Sequence, residues 1–147
     1  MTIAIIGASG FIGNRIFQSL VKKNNNDLIG TFFKHKEDPK FFFLDITSRV
    51  SVEKFLSKNR PDVIFWIAGS KNLKKCEKNW KYAYQINTQP IKDYYQIKSK
   101  INLDSKLVFF STDYVFNGIE GYYKDKDTVD PKTNYGITNK LSEEIII

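Results

Sequence analysis

The chain has 147 residues, a formal net charge of +7 and 41% hydrophobic residues, a size that suits one core, so residues 1–147 are expected to form a single domain. No apolar run reaches the roughly eighteen residues that a membrane helix needs, and the N-terminus enters a strand-like segment rather than a cleavable leader, which predicts a cytoplasmic protein with no membrane partner. The single cysteine, Cys76, excludes an internal disulfide framework and a cysteine zinc site, and lysines scattered from Lys22 to Lys126 without a nucleic-acid-binding signature exclude a nucleic-acid partner.

Thr2–Ile6 is a short apolar, β-branched run without polar alternation, as a parallel strand buried on both faces requires. After a glycine-rich turn, apolar residues recur at Phe11, Ile12, Ile16, Phe17, Leu20 and Val21, which predicts a helix from Phe11 to Lys23 that stops at Asn24-Asn25-Asn26. Leu28–Phe33 and Phe41–Leu44 read as two further strands, separated by the charged segment from His35 to Lys40, with Pro39 as a breaker. Ser48–Lys58 is amphipathic through Val52, Phe55 and Leu56, and Pro61–Ala68 is another continuous apolar strand. Glu77–Ile101 has the pattern of one long helix kinked at Pro90, with Tyr84, Ile86, Ile91, Tyr94, Tyr95 and Ile97 on its buried side. Lys106–Phe110 is a fifth strand, and a helix is predicted from Thr133 onward. Strands alternating with helices imply right-handed crossovers and an α/β fold built on a doubly wound parallel sheet.

The segment Gly7-Ala8-Ser9-Gly10-Phe11-Ile12-Gly13 lies between the first strand and the first helix, where a glycine motif is informative. Gly7 permits a tight turn, Gly10 lets the backbone approach a pyrophosphate, and Gly13 lets the helix pack closely on the strand, with amides and the helix dipole facing the anion. This predicts a Rossmann-type nicotinamide dinucleotide site with Gly7, Ser9, Gly10, Phe11, Ile12 and Gly13 as cofactor-binding residues. The spacing Gly-x-x-Gly-x-x-Gly resembles that of extended short-chain dehydrogenases. No carboxylate stands at the end of the second strand, where NAD-specific sites carry one, and the chain reads Phe33-Lys34-His35-Lys36 instead. Lys34 at that tip favours NADP(H) and leaves NAD(H) open, with a solvated basic turn as the other reading.

Three later segments, Pro61-Asp62-Val63-Ile64-Phe65-Trp66-Ile67-Ala68-Gly69, Ser111-Thr112-Asp113-Tyr114-Val115-Phe116-Asn117-Gly118 and Tyr135-Gly136-Ile137-Thr138, join the glycine turn and Leu44-Asp45-Ile46-Thr47 in one order. Together they resemble the dTDP-4-dehydrorhamnose reductase family of nucleotide-sugar reductases. The resemblance implies a nucleotide-sugar substrate, Tyr135 as acid/base, and Thr112, or failing it Ser111, as the hydroxyl that orients the sugar carbonyl. It also implies Asp45 and Ile46 near the adenine, Ala68 and Gly69 near the cofactor ribose, Asn87 on the long helix beside the cofactor, and Tyr135 touching it.

The family's lysine stands four residues after its tyrosine, where this chain has Asn139, with Lys140 next. On a regular helix the fourth residue on lies about 40° around and the fifth about 140°, so Lys140 acts with Tyr135 only if a π-bulge intervenes. Relatives of this type also continue well beyond the tyrosine helix, so a truncated form is expected, its unfinished sheet edge or tail helix offering a homodimer contact. Besides the reductase, the sequence leaves open a non-catalytic dinucleotide-binding or regulatory module and an inactive remnant of such a reductase.

Overall fold

The computed structural model describes every residue except 24–26, 37 and 71. In chain order its elements are β1 (Ile3–Ile6), α1 (Phe11–Lys22), β2 (Leu28–Phe32), β3 (Phe42–Phe43), α2 (Arg49–Asn59), β4 (Val63–Trp66), α3 (Leu73–Lys78), α4 (Trp80–Asn87), α5 (Gln89–Lys100), β5 (Lys106–Phe109), a 3-10 turn (Asp113–Val115) and α6 (Asn134–Ile146). The chain divides into two compact units, Met1–Gly69 with Asp93–Phe110, and Ser70–Lys92 with Ser111–Ile147.

The first unit holds a five-stranded, wholly parallel sheet in the order β3-β2-β1-β4-β5. Residues of β1 alternate between its faces: Ile5 joins Phe17, Phe41, Ile16, Leu20 and Phe65 on the side of α1, while on β4 Trp66 meets Tyr94 of α5, ring centroids 6.0 Å apart. Helices therefore cover both faces, and this is a Rossmann-type doubly wound sheet. The chain leaves β1 for β2 on one side and reaches β4 on the other, so the strand order reverses beside the end of β1, where such sheets leave a crevice.

β3 is shorter than the run Phe41–Leu44 suggests. Phe41 and Leu44 are buried, and only Phe42 and Phe43 pair with β2, through Thr31 and Phe32. The Phe41 ring lies over Gly30, where an added Cβ would come within 2.4 Å of it, and meets Phe17 edge-on at 4.8 Å. The predicted helix stop at 24–26 lies outside the described residues.

In place of the single long helix from Glu77 to Ile101 the chain forms three. Helix α3 already begins at Leu73, and Asn79 then takes an extended conformation, its own N–H closing α3 onto Lys75 and Cys76 while its side chain accepts the Tyr82 amide to open α4. Pro90 lacks an N–H and in a continuous helix would press its ring on the Ile86 carbonyl. The chain therefore breaks at Thr88, and Pro90 falls in the first turn of α5, where no N–H is needed. Periodicity alone could not separate three helices whose apolar spacing runs nearly in phase.

Candidate functional site

In the first unit, the turn after β1 is shaped by what cannot fit there. Gly7 has φ +94°, and an added Cβ would lie 2.9 Å from the Ala68 amide nitrogen. At Gly13 a Cβ would lie 2.1 Å from the Gly7 carbonyl oxygen, so the start of α1 approaches the turn as closely as backbone allows. Gly7 and Ser9 donate their amides to the hydroxyl and carbonyl of Thr31 on β2, at 3.0 and 3.3 Å, and Gly10 donates to the Gly7 carbonyl at 3.0 Å. Thr31 is buried, and sequence reading missed it because one β-branched polar residue inside an apolar strand carries no motif.

Helix α1 starts at Phe11 with no side-chain cap and no acidic residue in its first turn. Its leading amides and dipole thus face outward at an exposed Gly10, a cradle that a carboxylate cap would have filled. The donor set fits a pyrophosphate. Phe11 and Ile12 are 74% and 52% exposed at the mouth of this turn, and the Arg15 guanidinium lies 5.5 Å above the Phe11 ring. Lys34 and Lys36 are exposed just beyond β2, with the Lys36 ammonium 5.6 Å from the Phe32 ring. Asp45 is committed locally, accepting the amide and hydroxyl of Thr47 at 2.9 and 2.7 Å, with Ile46 half-buried beside it. Ala68 donates to the Ile6 carbonyl at 3.0 Å and is half-buried, and Gly69 is exposed.

In the second unit the Thr112 hydroxyl lies near enough to the Tyr135 phenol to bear on its ionisation. Thr112 opens the 3-10 turn, its hydroxyl accepting the Tyr114 amide at 3.2 Å and lying 3.2 Å from the Asp113 carboxylate. Tyr135 sits on the first turn of α6, capped by Thr133, whose hydroxyl accepts the Gly136 amide at 3.0 Å. Gly136 lets α6 press against the 3-10 turn, since an added Cβ would stand 2.1 Å from the Tyr114 carbonyl oxygen. The Tyr114 and Tyr135 rings meet edge-on at 5.5 Å. Burial pushes the Tyr135 phenol above its ordinary value, the Thr112 hydrogen bond pulls it back, and Cys76, Asp113 and Tyr114 push it up further. No cation acts on it among the described residues.

Helix α6 is regular from Asn134 to Ile146 and contains no π-bulge. Lys140 therefore stays out of register with Tyr135 and pairs with Glu144 at 3.4 Å. Asn139, one turn beyond Tyr135, is buried, and its side-chain amide donates to the Tyr135 carbonyl at 2.8 Å. Asn87 is also buried: its carbonyl oxygen accepts the Ser70 amide at 2.8 Å, and its amide nitrogen donates to the Thr138 hydroxyl at 3.3 Å. Ser142 donates to the Asn87 carbonyl and Thr88 to the Thr138 carbonyl, at 2.9 and 2.7 Å, so α6 is fastened to the end of α4 by small polar side chains. Cys76 is buried beside Ser70 and Asn87, its thiol pushed up chiefly by burial. No cluster of three or more metal-ligating side chains occurs among the described residues, and no described helix is long and apolar enough to cross a membrane.

An uncapped helix start after the first strand of a doubly wound sheet, with a threonine hydroxyl near a tyrosine phenol, defines a protein of the short-chain dehydrogenase type. The RmlD substrate-binding domain profile matches residues 1–147, and the chain belongs to that family. It is 31% identical over 145 residues to the spore coat polysaccharide biosynthesis protein SpsK of Bacillus subtilis, a match covering 98% of this chain and 47% of that protein. A hypothetical dTDP-4-dehydrorhamnose reductase from Sulfolobus tokodaii superposes with a TM-score of 0.86 at 34% identity, covering 99% of this chain and 51% of that one. The dTDP-4-dehydrorhamnose reductase of Bacillus anthracis, solved in complex with NADP, superposes with a TM-score of 0.82 at 26% identity, covering 99% of this chain and 49% of that one. The chain thus spans about half the length of the curated relatives it matches.

Proposed function

We propose that residues 1–147 form the dinucleotide-binding domain of a cytoplasmic NAD(P)H-dependent reductase that acts on a nucleotide-linked 4-keto sugar. The observation that carries this reading is the uncapped start of the first helix behind the close-packed Gly7, Gly10 and Gly13, in a chain where the Thr112 hydroxyl bears on the Tyr135 phenol. The leading amides of α1 would hold the pyrophosphate, and Lys34 with Lys36 beyond β2 favours a 2′-phosphate, hence NADP(H). When bound, the nicotinamide supplies the hydride. Thr112 would orient the carbonyl to be reduced, and Tyr135 would give its phenolic proton to the developing alkoxide. The phenol is protonated at neutral pH, as a proton donor must be, although burial makes it a weaker acid than an ordinary phenol.

A second reading is favoured by Asn139. Without a cation beside Tyr135 the phenolate is poorly stabilised, and a domain that binds the dinucleotide without turning over sugar fits that position. One experiment separates the two. Purified protein is titrated with NADPH and NADH and then assayed for consumption of the reduced cofactor with a 4-keto nucleotide sugar. The reductase reading expects NADPH to bind more tightly than NADH, and turnover to fall roughly 100- to 10,000-fold in Tyr135→Phe. Binding without turnover supports the module, and failure to bind either nucleotide overturns both.

A further inference from the structure

An aromatic patch stands where NAD-specific sites carry a carboxylate. Phe33, the first residue after β2, is 50% exposed, and Phe43, at the end of β3, is 59% exposed. Their ring centroids lie 6.0 Å apart with the planes tilted by 34°, and Phe43 also meets Phe32 edge-on at 5.9 Å, so the Phe33 ring is backed by a second ring and that one by a third. Phe42 is exposed too, but it pairs with Thr31 and projects from the face of β3 opposite to Phe43. Single exposed apolar side chains need no explanation. Two packed rings left open at the carboxyl end of parallel strands, rimmed by the exposed Lys34 and Lys36, have the make-up of a ligand surface. Backbone contacts tie this surface to the glycine turn. Thr31, two residues before Phe33, accepts the Gly7 and Ser9 amides. Leu44 donates to the Phe32 carbonyl at 2.9 Å, which carries the β2–β3 pairing past Phe43, and Asp45 donates its amide to the Ser51 hydroxyl at 3.2 Å. Adjacent strands lie about 4.8 Å apart, so a pyrophosphate beyond β1 and a base over β2 and β3 are one to two strand spacings apart, a gap that one ribose spans.

We propose that Phe33, backed by Phe43, is the platform on which the adenine of the dinucleotide stacks, so that this chain grips the base by its face where NAD-specific sites grip the ribose with a carboxylate. Stacking on a ring is indifferent to the 2′ substituent of the ribose, which leaves the choice between NADPH and NADH to Lys34 and Lys36. This assignment deepens the dinucleotide reading above and rests on it, and it needs neither the sugar nor turnover to be tested.

The test measures binding of NADPH, NADH, 2′,5′-ADP (the adenine half of NADPH) and reduced nicotinamide mononucleotide (the other half) to the purified chain and its variants. Phe33→Ala is expected to weaken NADPH, NADH and 2′,5′-ADP by one common factor of roughly 5- to 100-fold, and to leave reduced nicotinamide mononucleotide unaffected. Phe33→Leu keeps apolar bulk without an aromatic face and is expected to lose nearly as much, whereas Phe33→Trp should hold 2′,5′-ADP as tightly as the parent. Phe42→Ala, on the opposite face, should change nothing. Unaltered 2′,5′-ADP affinity in Phe33→Ala, or an equal loss in Phe42→Ala, overturns the proposal. So does a parent dimer that Phe33→Ala dissociates in sedimentation without loss of 2′,5′-ADP affinity, because the rings would then cover a second copy. Failure of the reductase reading shows separately: a parent chain that binds 2′,5′-ADP through Phe33 and turns over no 4-keto nucleotide sugar refutes the reductase and upholds the platform. A parent that binds none of the four ligands overturns both.

Discussion

At the residue scale, glycines with the same one-letter code do different work. Gly13 is required because any Cβ would collide with the Gly7 carbonyl, whereas Gly118 has open space around it and is set apart only by φ +75°. Gly13→Ala is expected to destabilise the protein by about 1–3 kcal/mol, since backbone must shift to relieve the overlap, and to abolish NADPH binding with it. Gly118→Ala is expected to lower stability by about 1 kcal/mol and leave binding intact. Urea unfolding midpoints and a fluorescence titration with NADPH check both, and equal losses of binding would contradict the packing role given to Gly13. The sequence marked all three glycines of the turn, because their spacing between strand and helix is a local signal. It could not mark Thr31 or Glu143, whose partners lie 24 and 32 residues away in the chain.

Among elements, the stretch from Leu73 to Lys100 shows where pattern reading stops. A run of apolar residues at helical spacing looks the same whether one helix or three carry it, and only the backbone at Asn79 and Thr88 separates them. Asn79 serves both ends, closing α3 with its amide and capping α4 with its side chain at 2.9 Å. Asn79→Ala should therefore cost about 1 kcal/mol in the urea midpoint followed by circular dichroism, while Asn79→Asp should cost much less. No loss in Asn79→Ala would mean that the side chain does not set the break. Helix α6 illustrates the reverse case. Its start was legible from Thr133 and its regular course fixes the register of every later side chain, which is why Lys140 pairs with Glu144 and Asn139 turns back on the Tyr135 carbonyl.

For the molecule as a whole, alkaline pH probes burial in both units. Burial pushes the phenols of Tyr94, Tyr95 and Tyr135 above their ordinary values, offset at Tyr94 by the Ser105 hydroxyl at 2.7 Å and at Tyr135 by Thr112. Below about pH 10 these groups are protonated in folded and unfolded chains alike, so their contribution is fully present. As pH rises past that value the unfolded chain loses its protons first, and stability falls until the folded phenols ionise in turn. Urea midpoints measured from about pH 8 to about pH 11 are expected to decline, and Tyr94→Phe is expected to flatten part of that decline; an identical slope in the variant would place Tyr94 outside the effect. The alternation of apolar strands with helical spacing and the glycine turn let the sequence alone determine a parallel α/β sheet and the close-packed glycine turn at the end of its first strand, because periodicity and turn chemistry act between near neighbours. Which groups meet was decided only by tertiary structure: Ser111 with Glu143, and Asn87 with the Ser70 amide and the Thr138 hydroxyl. Such contacts depend on how elements distant in sequence are brought together, and no local pattern encodes that.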